Sequence, residues 1–190
     1  MGRAALVVAV LFSGSAAGAD VASDITPEVI AEAIKEGSTA KRVGFYSVVG
    51  GALHIGARSG VILSTPYMRI VHAANEAKRR YRPFTEADVT DEMKAPEIRV
   101  YAPAWAGQGM KVVSPEAIVI LEEGRKDAVI QPTATKEMDA EFRNLLGAKA
   151  EGRSMLATFP LSALKEGNVI RIVWDIGKEM SHKIKMEKVR

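Results

Sequence analysis

Residues 64–82 read STPYMRIVHAANEAKRRYR, and the rest of the chain is organised around them. Thr65 offers a side-chain oxygen to cap a helix, and Pro66 stands at the first helical position, where a missing N–H is tolerated. Tyr67, Ile70, Val71, Ala74, Ala77 and Tyr81 recur at helical spacing and predict one apolar stripe. Lys78, Arg79, Arg80 and Arg82 crowd the last turn, where cations complement the helix dipole. Pro83 stops the helix, because the residue before a proline disfavours the α region. The expectation is that this helix lies on a sheet built by the rest of the chain.

Towards the N-terminus, Thr26-Pro27-Glu28 opens a second helix by the same logic, with Val29, Ile30, Ala33 and Ile34 as its apolar face and Gly37 as its end. Residues 42–49, RVGFYSVV, have the composition of a strand. Gly50-Gly51 followed by ALHI predicts a tight β-hairpin, since adjacent glycines supply the positive φ that two-residue turns need. After Pro83, the caps Thr85 and Thr90 each precede acidic residues and predict short helical turns with Phe84, Val89 and Met93 facing inward. Ala95-Pro96 marks a module boundary.

Beyond it the character changes. Apolar runs at 98–102, 110–113, 117–121, 128–131, 155–159, 169–174 and 182–189 are mostly separated by Gly, Pro or charged clusters. Short strands with turn signals between them argue for a β-sandwich or barrel. The run at 182–189 alternates charged with apolar residues for much of its length, as a guarded edge strand does. Residues 136–146 place Met138, Phe142, Leu145 and Leu146 on one helical face ahead of Gly147, which favours an inserted helix over a twisted strand. The stretch FPLSAL at 159–164, then Gly167 and VIRIVW, resembles the strand–turn–strand crossing of immunoglobulin-like and fibronectin-like sandwiches. That resemblance implies an architecture and carries no function. The expected fold is therefore α+β: an N-terminal helical part with a β-hairpin at 20–95, and an immunoglobulin-like antiparallel β-sandwich at 96–190.

Residues 1–19 read as a secretory signal. Arg3 is the basic start, AALVVAVLF the apolar centre, and Ala17-Gly18-Ala19 the small-x-small site before Asp20. The apolar run is far short of the roughly 20 residues that span a bilayer, and no other stretch is apolar enough, so no transmembrane segment is expected in the mature chain. The chain has no cysteine, so a lipid-anchored form is disfavoured, and a disulfide-stapled secreted domain is excluded. A periplasmic or secreted protein of a bacterium is the expected address. Composition is ordinary for a globular chain, with 47% hydrophobic and 26% charged residues among 190.

The formal net charge of +3 implies no partner by itself, but its distribution is uneven. Between Gly37 and Thr85 stand eight basic residues and one acid, Glu76. Glu86, Asp88, Asp91, Glu92 and Glu97 follow, with Lys94 alone against them. The simplest outcome is mutual neutralisation on one surface. The alternative is a recognition site: Lys78, Arg79, Arg80 and Arg82 beside Tyr81, then Arg58 and Arg69, suit phosphate or carboxylate groups.

No catalytic pattern accompanies these charges. His54, His72 and His182 are not spaced as zinc ligands, no serine lies in G-x-S-x-G, and the glycines at 50, 51, 56 and 60 match no phosphate-binding loop. No metal, cofactor or nucleic acid is implied. The sequence thus points to a non-enzymatic binding or assembly protein of the cell envelope, meeting an envelope protein or an anionic envelope component. The rival is a small secreted hydrolase using His54 and His72 with a nearby carboxylate, Asp88 or Asp91.

Overall fold

The computed structural model describes residues 25–41, 46–49, 60–106, 111–125, 127–143 and 149–186. The signal-like segment lies outside these residues. Among the described residues the chain is α+β, with three α-helices and antiparallel sheets, consistent with a β-sandwich. No helix among them is long and apolar enough to cross a membrane.

The helices begin where their caps predict. α1 (Pro27–Thr39) starts after Thr26, whose hydroxyl accepts from the Val29 N–H. α2 (Pro66–Arg79) starts after Thr65, which accepts from the Met68 N–H at 3.2 Å. A 3-10 turn at Glu86–Asp88 and the short α3 (Asp91–Lys94) follow, led by Thr85 and Thr90. α1 runs past its expected end. Gly37 is buried within it, and the terminal carbonyls are taken by side chains of α2. The Asn75 amide donates to Gly37 O and Ala40 O, and Lys78 Nζ donates to Thr39 O and Ala40 O. These donors from another helix do what a glycine cap does locally.

Eleven strands are described. One sheet takes β1 (Tyr46–Val49), β2 (Gly60–Ser64), β3 (Glu97–Ala102), β9 (Lys149–Pro160) and β8 (Ala134–Arg143), side by side in that order. A second takes β11 (Glu179–Lys183), β10 (Val169–Trp174), β6 (Pro115–Leu121) and β7 (Val129–Ile130). β4 (Trp105–Ala106) and β5 (Val112–Val113) form a small ribbon. β3 and β10 alternate strictly between half-buried and buried positions, as strands with one face on a core must. Val61, Leu63, Ile98, Val100, Ala157 and Phe159 from the first sheet meet Ile118, Ile120, Ile170, Ile172 and Trp174 from the second in one cluster.

Four further expectations change. The segment 136–146 is not helical where it is described: 134–143 is an edge strand, hydrogen-bonded along its length to β9. Met138 and Phe142, four apart, also share one face of a strand, so helical spacing and strand alternation coincide there. The hairpin return is at 60–64, with Val49 opposite Gly60, rather than directly after Gly50-Gly51; ALHI lies outside the described residues. The last strand sits at 179–183, because a turn with Gly177 at φ 69° folds the chain back straight after Trp174. It is still an edge strand, with Glu179, Ser181 and Lys183 exposed and Met180 and His182 buried.

The fourth change concerns α2. Its stripe does not cover the sheet. Ile70 and Val71 pack with Ala33 of α1, and around them lie Ile25, Ile30, Ile34, Tyr67, Phe84, Val89 and Met93. The helices thus have their own small core beside the sandwich. Strands from both sides of the expected boundary at Ala95-Pro96 nevertheless share the larger core, since β2 pairs with β3 and contributes Val61 and Leu63.

Candidate functional site

The basic cluster lies at the C-terminal end of α2, and its backbone sets its form. The Arg82 N–H reaches back to Ala77 O at 2.9 Å, and the Tyr81 N–H to Lys78 O at 2.9 Å. This double closure defines a Schellman turn. It requires a left-handed residue at its apex, and Tyr81 occupies that place with φ 55°. No other non-glycine residue among those described has a positive φ. Glycine takes this position in most such turns, and a side chain there costs about 1 kcal/mol. Tyr81 is also 98% exposed. The ring expected on the apolar stripe therefore stands clear of the fold at the tip of the turn.

The four cations around it differ in their commitments. Lys78 caps α1, as described above. Arg80 forms an ion pair with Glu76 one turn earlier, both side chains more than half exposed. Arg79 and Arg82 are exposed and form no ion pair in contact with a carboxylate among the described residues, although Arg82 acts on Asp88 through space. The acids that follow serve other groups. Glu92 and Glu97 pair with Arg99 at 3.0 and 2.8 Å, and Asp91 with Lys94 at 2.8 Å. The Asp88 carboxylate accepts from the Thr85 N–H and hydroxyl, which hold its pKa below the usual range, and Arg82 assists through space. Between the two charge blocks the described residues interact through space: Arg82 acts on Asp88, and Glu97 and Glu92 act on Arg69.

Arg69 is elsewhere. Its guanidinium donates to the carbonyls of Met93, Ala95 and Glu97 at 3.1, 2.6 and 3.1 Å. Burial, then the neighbouring Arg99, lowers its pKa to about 10, against the pull of Glu97 and Glu92. It remains charged at neutral pH and clamps α2 to the junction between α3 and β3. Arg58 and His54 lie outside the described residues. His72 is half-buried on α2, with its pKa lowered by burial, while Asp88 and Asp91 are exposed and held by Thr85 and Lys94. Among the described residues no group of three His, Cys, Asp or Glu side chains is placed to hold a metal ion.

Sequence reasoning placed the cations and missed the geometry of Tyr81. A signal was present: Pro83 lies three residues beyond the Arg80 cap, and proline commonly stands one to three residues past a helix end. Comparison with protein families, curated proteins and solved structures finds no match for this chain.

Proposed function

We propose that this chain is an exported, periplasmic or secreted, non-enzymatic binding or assembly protein of the bacterial cell envelope, which engages an anionic envelope component through the turn at 78–82. The signal-like residues 1–19 and the lack of cysteine support the address. The stretch at 159–174 supports an immunoglobulin-like architecture for the sandwich. The observation that carries the reading is the turn itself: an aromatic ring 98% exposed at a left-handed position, next to two exposed arginines. Strained backbone that presents a side chain to solvent is a pointer to function.

The test is co-sedimentation of the purified exported protein with isolated envelope fragments. Capture at low salt that fades as salt rises is expected, because mobile ions screen exposed charge pairs. Replacing Lys78, Arg79, Arg80 and Arg82 together by Ala should leave the sandwich folded and abolish capture. Undiminished capture by that variant would overturn the assignment.

A further inference from the structure

The turn at 78–82 also indicates what kind of anionic partner it fits. Tyr81 at 98% exposure has almost no neighbour in its own fold, so the ring is the apex of a convex tip rather than part of a pocket. Around the apex stand Lys78, which is tied to α1 carbonyls, Arg79, Arg80 and Arg82, offset by Glu76, which already holds Arg80, and by Asp88, which faces Arg82 through space. A convex tip cannot enclose a small anion, and an ordered protein or sugar partner would have to supply the pocket. A bilayer surface needs no pocket. Its interfacial zone accepts tyrosine, whose ring is apolar and whose hydroxyl is polar, while anionic headgroups attract the surrounding cations. Long basic side chains reach headgroups while their stems stay against the protein.

We infer that the tip formed by Tyr81, Arg79 and Arg82 docks on an anionic lipid surface, with the Tyr81 ring at headgroup level and both guanidinium groups on lipid phosphates. This rests on the envelope reading above and narrows its partner to phospholipid. The left-handed backbone at Tyr81 has a use in this arrangement. It points the ring away from α1 and α2, which a continued helix would not do, since the next helical position would return it to the apolar stripe.

The experiment is sedimentation of the purified exported protein with vesicles of phosphatidylcholine alone, and with vesicles of equal parts phosphatidylcholine and phosphatidylglycerol. Binding is expected only to the second kind, weakening as salt rises. Each basic side chain near an anionic surface is worth about a fivefold change in partition, so Arg79→Ala with Arg82→Ala should weaken binding about 25-fold. Tyr81→Gly suits the turn better than tyrosine, so this variant should be at least as stable as the native chain and still bind on the order of fivefold more weakly. Tyr81→Trp gives a direct readout. The native indoles of Trp105 and Trp174 are buried, so brominated lipid should quench a new signal from position 81. Equal binding to both vesicle types, native-like binding by Tyr81→Gly, or no lipid quenching would overturn the inference. Capture by envelope fragments without capture by anionic vesicles would overturn it alone and leave the envelope reading standing. Failure of both captures would remove both.

Discussion

Replacing Gly37 by alanine sets two effects of opposite sign against each other. In an exposed helix, Gly→Ala stabilises by up to about 1 kcal/mol, because alanine restricts the unfolded chain and favours helix. Gly37 is not exposed. A Cβ built there would lie inside contact distance of the Val71 carbonyl oxygen, 2.8 Å from the Ala74 Cβ and 3.1 Å from the Val71 carbonyl carbon. Carbon contacts are comfortable at about 3.5–4.0 Å, so α1 and α2 must part by on the order of 1 Å. Overpacking of this kind costs about 1–3 kcal/mol. Separation also stretches the Asn75 amide from Gly37 O and Ala40 O, now 2.9 and 3.0 Å away. Weakening that buried pair costs about 1 kcal/mol more. The propensity gain cancels roughly that last part, and a net loss of about 1–3 kcal/mol remains. Urea unfolding followed by far-ultraviolet circular dichroism would measure it. A Gly37→Ala variant as stable as the native chain, or more so, would refute the close helix crossing that seats Asn75 and Lys78.

Two other perturbations probe what lies around the site. Arg69→Met removes a guanidinium from three carbonyls; hydrogen bonds to charged groups are worth about 1.5–3 kcal/mol each, but the same burial that lowers the Arg69 pKa and the water that can reach the half-buried carbonyls offset much of this. A loss of about 2–3 kcal/mol in urea unfolding is expected with vesicle binding unchanged, and a weakened vesicle affinity would return Arg69 to the contact surface. His182 is buried, its Nε2 has no hydrogen-bond partner among the described residues, and burial lowers its pKa. The folded state therefore resists a proton that the unfolded chain accepts. The stability tied to the neutral ring is fully present above about pH 6.5 and is lost progressively as pH falls from there through the lower folded pKa. His72 acts with the same sign, so His182→Leu should flatten part of the decline in unfolding free energy between neutral and mildly acidic pH. Parallel pH profiles for variant and native protein would refute this role for His182.

How much of this was legible depends on the range of the interaction concerned. The capped starts at Thr26-Pro27 and Thr65-Pro66 are local, since the accepting hydroxyl and the donating N–H are three residues apart, and they stand where the sequence puts them. The strands at 97–102 and 169–174 are legible because short apolar runs bounded by turn signals stand in the residues themselves, the second broken only by Arg171. The edge strand at 134–143 was misread because its identity depends on pairing with 149–160. The basic cluster was visible as composition, but the division of labour within it was not. Lys78 is engaged by α1 carbonyls about forty positions away, and Arg69 by a junction more than twenty positions on.

The sequence by itself determined the α+β character, the helix starts, most of the strands and the concentration of positive charge before Pro83. All of these follow from caps, periodicity and composition that act over a few residues. Tertiary structure alone decided that α2 packs on α1 instead of the sheet, that Gly37 is a contact rather than a stop, and that Arg69 is a clamp. It also decided that Glu92 and Glu97 pair with Arg99, Asp91 with Lys94, and Asp88 with Thr85, while Arg79 and Arg82 stay exposed. The physical reason is the same in each case. A donor, a cation or a close approach takes its meaning from the group opposite, and that group is brought there only by the folded chain.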